Sequence, residues 1–230
     1  MYTRIVLVRH GETDWNAHGR IQGHLPVPLN ARGRAQARAA AARLAGLPFQ
    51  AIYTSDLLRA IETAETIARH AKHRLRHDHR LREWDLGILA GLLRAEAERR
   101  HPEAYAIVRK RWVDRPIPGG ECIRRRARRA AEALEEIARE HPGETIVVVT
   151  HGGILGDVYR RARGTDLDAQ IPVDLHNAGI NVVRVAGSAW SLESWGEVGH
   201  LRDIGTLPNW EGQMRGRLSG AARRAPHRAP

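Results

Sequence analysis

The chain of 230 residues has one cysteine, Cys122, so it can make no internal disulfide and no cysteine zinc cluster. Lysine is nearly absent: beyond Lys72 and Lys110, the basic residues are all arginine. Aromatic residues are 5% of the chain, too few for the interleaved stacking platform that single-stranded nucleic acid needs. No apolar run approaches the roughly 18 residues of a membrane span, so no membrane partner is expected. The start, Met1-Tyr2-Thr3-Arg4-Ile5-Val6, has no charged-then-apolar segment and reads straight into a strand, the expectation for a cytoplasmic protein. What is present is 42% hydrophobic and 27% charged, enough apolar material for a real core.

The net charge is +11 before histidine, and its placement matters more than its total. Residues 209–230 hold five arginines and one glutamate, in a glycine-, alanine- and proline-rich stretch with little to bury. That segment reads as a flexible basic tail after one domain spanning 1–208. Most other arginines fall among alanines on expected helices. Arg124, Arg125, Arg126, Arg128 and Arg129 are read in this way as a solvated helix face, and no specific nucleic-acid partner is expected. His70, His73, His77 and His79 lack clear carboxylate partners in sequence, so they are read as a polar, partly exposed segment with no metal site.

Short β-branched runs mark the strands: 4–8, 51–54 and, most clearly, Thr145-Ile146-Val147-Val148-Val149-Thr150. Helices are expected over 31–45, from about Leu57 to His70, and from Glu121 to His141. The last of these carries Ile123, Ala127, Ala130, Leu134 and Ile137 on one stripe. Two antiparallel strands near 180–186 and 189–195 close the ordered part. The alternation predicts an α/β fold: a mainly parallel sheet flanked by helices on both faces, with a small helical cap region at about 88–117. In such sheets ligands bind at the carboxyl ends of the strands. Arg9-His10-Gly11 and Thr150-His151-Gly152-Gly153 both sit there, directly after the two best strands. Arg59 stands near the start of the helix that follows the second strand. Two arginines and two histidines at one sheet edge make a pocket for a tetrahedral anion, for which phosphate is the natural candidate.

Six motifs in order carry a resemblance over about residues 4–185: LVRHGETDWN at 7–16, GRIQGHLPVPLNARGRAQA at 19–37, YTSDLLRAIETA at 53–64, RLREWDLG at 80–87, PGGE at 118–121 and VVTHGGIL at 148–155. The sequence resembles the histidine phosphatase, or phosphoglycerate-mutase-like, superfamily. The resemblance implies that His10 is the nucleophile and becomes a phosphohistidine. It also implies that Arg9, Arg59 and His151 complete the phosphate pocket, that Asn16, Gln22, Gly23 and Gly152 contact the substrate, and that Glu83 is the general acid and base. No metal or cofactor is then required, because the arginines and histidines supply the positive charge. Two departures stand out. The stretch Gly87-Ile88-Leu89-Ala90-Gly91 lacks the tryptophan and glutamate that family members often carry there, and Cys122 takes the place of a helix-capping serine.

Within the family, only 34 residues separate Glu83 from Pro118, short for the insertion of cofactor-dependent mutases. A mutase must shield its intermediate from water, so a short cap favours hydrolysis. The expectation is a phosphomonoesterase acting on a small phosphorylated metabolite. A phosphoglycerate mutase using the same site is the alternative, and a polyanion-binding protein that has borrowed the fold is the third reading. A homodimer is left open.

Overall fold

The computed structural model describes residues 1–209. Its strands are β1 (Thr3–Arg9), β2 (Ala51–Thr54), β3 (Leu75–His77), β4 (Thr145–Thr150), β5 (Ile180–Ala186) and β6 (Ala189–Glu197). Its α-helices are α1 (Asp14–Ala17), α2 (Ala31–Leu44), α3 (Leu58–Ala71), α4 (Arg94–Arg100), α5 (Pro102–Lys110), α6 (Ile123–Glu140) and α7 (Gly152–Arg163). One sheet runs β3-β2-β4-β1-β5-β6. Its first four strands are parallel, and β5 and β6 extend it antiparallel, so the mainly parallel sheet expected from the sequence is what forms.

Alternation along the central strands sorts side chains onto the two faces of the sheet. Ile5, Leu7, Ile146 and Val148 pack with Leu134, Ile137, Leu155 and Val158 from α6 and α7. Val6, Val8, Val147 and Val149 face the other way, against Ala40, Ala41, Ala60, Ala64 and Ile67 from α2 and α3. Because both faces are covered, β1 and β4 read as unbroken apolar runs. A third apolar cluster, with Trp84, Leu89, Tyr105, Ile107, Ile117 and Ile123, gathers α4 and α5 beside the strand ends.

The chain between β1 and α2 is held tightly. Asn30 caps α2 by accepting from the Gly33 amide at 2.8 Å, and its side-chain amide donates to the buried Glu12 carboxylate at 2.9 Å. The Glu12 amide in turn donates to Gln36 Oε1 at 2.8 Å. A Cβ on Gly33 would lie 2.0 Å from the Glu12 carbonyl oxygen, and one on Gly11 would lie 2.5 Å from the Gly33 carbonyl oxygen. Two glycines therefore let the first helical turn of α2 touch the loop that carries His10.

Three sequence expectations change. The histidine-rich segment contains the edge strand β3, which its own pattern does not announce because Leu75 is its sole apolar residue; pairing to β2 supplies what alternation lacks. The arginine face of α6 is not wholly solvated: Arg126 is buried and Arg129 half-buried. Asn209, assigned by sequence to the tail, is tied down, its amide donating to the Leu175 carbonyl at 2.9 Å. The remainder of that expected tail, 210–230, lies outside the described residues. Cys122 stands at the N-cap of α6 and its side chain makes no capping hydrogen bond.

The contact at Gly33 generates a prediction. Gly33→Ala forces backbone apart where no flexible side chain can yield, and is expected to cost about 2–3 kcal/mol, the upper part of the usual overpacking range. Urea unfolding measures this, and a loss below a few tenths of a kcal/mol would show that the loop moves aside freely.

Candidate active site

The site is created by strand register. β1 and β4 are parallel with Arg9 opposite Thr150, so the next residue on each strand, His10 and His151, emerge side by side. The His10 amide donates to the Thr150 carbonyl at 2.9 Å, and the two imidazole centroids are 5.1 Å apart. His10 Nδ1 lies 2.7 Å from the Gly11 carbonyl oxygen. A carbonyl can only accept, so Nδ1 carries the proton and the lone pair of the neutral ring is on Nε2. His151 Nε2 lies 2.8 Å from Ser55 Oγ, at the end of β2. That hydroxyl already accepts from the Leu57 amide at 3.2 Å, so the arrangement using every group has it donating to Nε2, with the His151 proton on Nδ1.

Two arginines flank the histidines, both fully buried. Arg9 Nη1 donates to the Leu175 carbonyl at 2.5 Å and to Leu207 at 3.4 Å. Arg59 donates from Nη2 to the Gly23 carbonyl at 2.8 Å and from Nη1 to Leu25 at 3.2 Å. Carbonyls orient these guanidinium groups without neutralising them. Arg9 Nε, Arg59 Nε and His151 Nδ1 are buried with no hydrogen-bond partner among the described residues, a donor set that suits a tetrahedral dianion.

Glu83 lines the same cleft. Its carboxylate accepts from the Trp84 amide at 2.7 Å and, through the other oxygen, from the Gly153 amide at 2.9 Å in the first turn of α7. A Cβ on residue 153 would fall 2.1 Å from Glu83 Oε1, so the second glycine of the His-Gly-Gly motif is there to admit this carboxylate. Asn16 and Gln22 also line the cleft. Asn16 Oδ1 accepts from the Thr13 amide at 3.1 Å, and Gln22 Oε1 lies 3.1 Å from Thr13 Oγ1. Gly23 and Gly152 complete the lining from the backbone side. Every residue the sequence assigned to the site is thus gathered at one place, although His151 stands wholly buried behind His10 instead of on the cleft surface.

Burial and charge set the protonation states. Desolvation, then Arg59 and Arg9, push His10 well below its ordinary value of 6.5, against the Gly11 carbonyl. Burial, then Arg59 and the first histidine, do the same to His151. Both rings are neutral near pH 7. Arg9 and Arg59 are brought down to about 10, chiefly by burial, and keep their charge.

Other contributors were not legible in sequence. Arg20 and Arg94 line the outer cleft with Ile21, Leu86, Tyr105 and Val108; Arg20 lies inside the 19–37 motif but was given no role there, and nothing in the sequence separates Arg94 from the many other arginines. Asn177 Nδ2 donates to the His10 carbonyl at 3.0 Å from a loop without a motif. Asn209, from the supposed tail, lines the cleft beside Gly152. Arg129, expected in solvent, donates to the carbonyls of Arg80, Arg82 and Glu83, so the segment carrying Glu83 hangs on α6. Ser55 lies inside a recognised motif, yet its contact with His151 depends on β2 adjoining β4. Among the described residues no three His, Cys, Asp or Glu side chains cluster so as to hold a metal ion, and no helix is long and apolar enough to cross a membrane.

The chain matches the family model described as histidine phosphatase superfamily (branch 1) over residues 5–198. It is 44% identical over 210 residues to the phosphoglycerate mutase-like protein 4 of Arabidopsis thaliana, covering 90% of each chain. With the metal-independent phosphoserine phosphatase of the same plant it shares 43% identity over 208 residues, 89% of this chain and 86% of that one. Among solved structures, mycobacterial glucosyl-3-phosphoglycerate phosphatase complexed with VO3 superimposes with a TM-score of 0.76 at 29% identity, covering 85% of this chain and 99% of the other.

The neutral, buried imidazoles make stability depend on pH. In the unfolded chain each takes up a proton near 6.5, whereas in the fold each resists until well below that. Below pH 6.5 the unfolded state therefore binds more protons, and stability falls as pH falls, by up to about 1.4 kcal/mol per pH unit for each ring. Urea midpoints at about pH 7.5 and about pH 5.5 are expected to show this loss in wild type and a smaller one in His10→Gln. An equal loss in both proteins would place the acid sensitivity elsewhere.

Proposed function

The chain belongs to the histidine phosphatase superfamily, branch 1, and from that membership and the geometry at His10 we propose that it hydrolyses a small phosphomonoester through a phosphohistidine intermediate. The observation that carries the reading is the Nδ1 contact of His10 with the Gly11 carbonyl, which leaves a nucleophilic Nε2 between two charged guanidinium groups. In the first step Nε2 attacks phosphorus and the P–O bond to the leaving alcohol breaks. Glu83, as the carboxylic acid, gives that oxygen its proton. In the second step water attacks the phosphorus of the phosphohistidine, the Glu83 carboxylate takes a proton from it, and the N–P bond breaks to release phosphate and neutral His10.

Arg9, Arg59 and His151 hold the non-bridging oxygens and stabilise the charge that spreads over them in an in-line transfer. The side-chain amides of Asn16 and Gln22, fixed by Thr13, add donors, and Gly23 and Gly152 keep the backbone close to the substrate. On the outer wall Arg20 and Arg94 stand beside apolar Ile21, Leu86 and Val108, which suits an ester with a second anionic group such as a carboxylate. The names of two relatives, a phosphoserine phosphatase and a glucosyl-3-phosphoglycerate phosphatase, point the same way.

A mutase would use the same groups, and the name of the 44% identical plant relative favours that second reading. Hydrolysis is preferred here because Glu83 is only half-buried, which leaves water a route to the intermediate, and because the segment between it and Pro118 is short. Incubation with phosphoserine, 3-phosphoglycerate and glucosyl-3-phosphoglycerate separates the readings. Release of inorganic phosphate supports the phosphatase. Isomerised ester without free phosphate supports the mutase, and no turnover with salt-sensitive retention of DNA supports a binding protein.

Two variants test the assignments. His10→Ala is expected to lower kcat by at least about a thousandfold and to abolish an acid-labile, alkali-stable phosphoprotein, the behaviour of an N–P bond; near-normal turnover would remove His10 from the chemistry. Glu83→Gln is expected to slow alkyl phosphates about 10²- to 10⁴-fold while sparing p-nitrophenyl phosphate, whose leaving group needs no proton. Equal losses on both esters would mean that Glu83 serves structure alone.

A further inference from the structure

The arginines of α6 contain a second device. Arg126 is 2% exposed and Asp157, on α7, is 4% exposed. Arg126 Nε and Nη2 donate to the two oxygens of Asp157 at 2.7 and 2.8 Å, the fork-to-fork arrangement that fixes a guanidinium plane. Its Cζ lies 4.8 Å from the centre of the Trp84 ring, and Trp84 Nε1 is itself held by the Glu121 carbonyl at 2.8 Å. Two corners of the guanidinium are thus occupied by Asp157. The third, Nη1, turns toward the first turn of α7: a Cβ on Gly153 would lie 3.0 Å from it and 2.1 Å from Glu83 Oε1. Arg126 and Glu83 are near neighbours across a glycine, and the pair presents its positive corner to the carboxylate.

We propose that Arg126 is a positioning residue for Glu83, clamped by Asp157 and Trp84, and that this buried pair sets the local electrostatic field at the Glu83 carboxyl group. The inference rests on the phosphatase reading above. Its logic is one of offset charge. Arg126 turns positive charge toward the carboxylate, and Asp157 behind it cancels part of that field. Burial opposes the charge of Arg126, but Asp157, and after it Glu83, hold it protonated. Arg9 from β1 and Arg59 from α3 also interact with Glu83, and Arg20 and Arg94 line the same cleft. Around its backbone stand Arg129 from α6, which donates to the Glu83 carbonyl, and His24, whose Nε2 is 2.7 Å from that same oxygen. Glu121 offsets Arg129 by a direct ion pair at 2.5 Å. Arg126 and Arg129 each hold a buried carboxylate across two hydrogen bonds, Asp157 and Glu121, but it is Arg126 whose free corner lies beside the Glu83 side chain, so its balance with Asp157 is what a single substitution can tip.

The test compares pH profiles of kcat/KM on phosphoserine and on p-nitrophenyl phosphate for wild type, Asp157→Asn and the double variant Arg126→Leu/Asp157→Leu. Asp157→Asn keeps the shape and removes the offset. The alkaline limb on phosphoserine is expected to move down by at least about half a pH unit, given the usual reach of a charge at this range. The double variant removes the nearer positive corner along with its partner, and the limb is expected to move up. Replacing a buried ion pair by apolar side chains is commonly tolerated, so this variant remains informative should Asp157→Asn fail to fold. On p-nitrophenyl phosphate, where no proton is needed, neither limb should move. Equal falls in rate on both esters with unmoved limbs would reduce Arg126 to a packing role and overturn the proposal. Wild-type protein that releases no phosphate from any of the three esters above removes the phosphatase reading and this inference with it, whereas an active wild type with unmoved limbs in the folded variants removes this inference alone.

Discussion

The constraint on which the rest depends is the burial of two guanidinium charges with no carboxylate, among the described residues, in ion-pair contact with either. Arg9 and Arg59 are 5% and 1% exposed, and their hydrogen bonds go to backbone carbonyls at 175, 207, 23 and 25. Isolated charge in such a place is costly, and carbonyl dipoles from three separate stretches of chain are recruited to bear it. The cost has two chemical returns. Together with burial, which contributes most, the field keeps both histidines neutral and a lone pair ready on His10, and it leaves an excess of positive charge that an anion can balance. A carboxylate paired to either arginine would stabilise the protein and spoil the site.

The sheet provides the rigid frame for that charge. Parallel pairing of β1 with β4 fixes the two histidines in register, and β2 on the far side of β4 brings Ser55 to the second of them. The helices then divide the work by face. α2 and α3 secure the nucleophile's loop and Arg59. α6 and α7 secure the acid, since Arg129 suspends the Glu83 segment and α7 begins at the glycine whose partner receives the carboxylate. Nucleophile and acid are therefore anchored to opposite faces of one sheet and meet over its edge.

Much of this was legible in the sequence because local pattern and long-range position coincide at strand ends. The runs before Arg9 and His151 announced buried strands, and residues just past such strands must lie at the edge where ligands bind. Glu83 had no such signal and was reached through family resemblance. What stayed illegible is what depends on tertiary partners. Arg126 and Arg129 look identical to Arg124 and Arg125 until α7 and the 80–83 segment are placed beside them. Leu75-Arg76-His77 becomes a strand only because β2 offers an edge. Asn209 reads as tail by composition, yet its backbone amide donates a hydrogen bond to the Leu175 carbonyl and it lines the cleft.

The last described segment has a temporal consequence. Leu207 accepts from both Arg9 and the Asn177 amide, and Gly205 accepts from Gln36 in α2. Residues from the first helical layer are thus fastened to residues translated some 170 positions later, and β5, which pairs with β1, is also made late. A chain still growing on the ribosome can own the nucleophile, both arginines and the acid, yet lack the carbonyls that orient Arg9. The phosphate pocket therefore needs the chain as far as Leu207 to orient Arg9, long after the residues of its motifs have been joined.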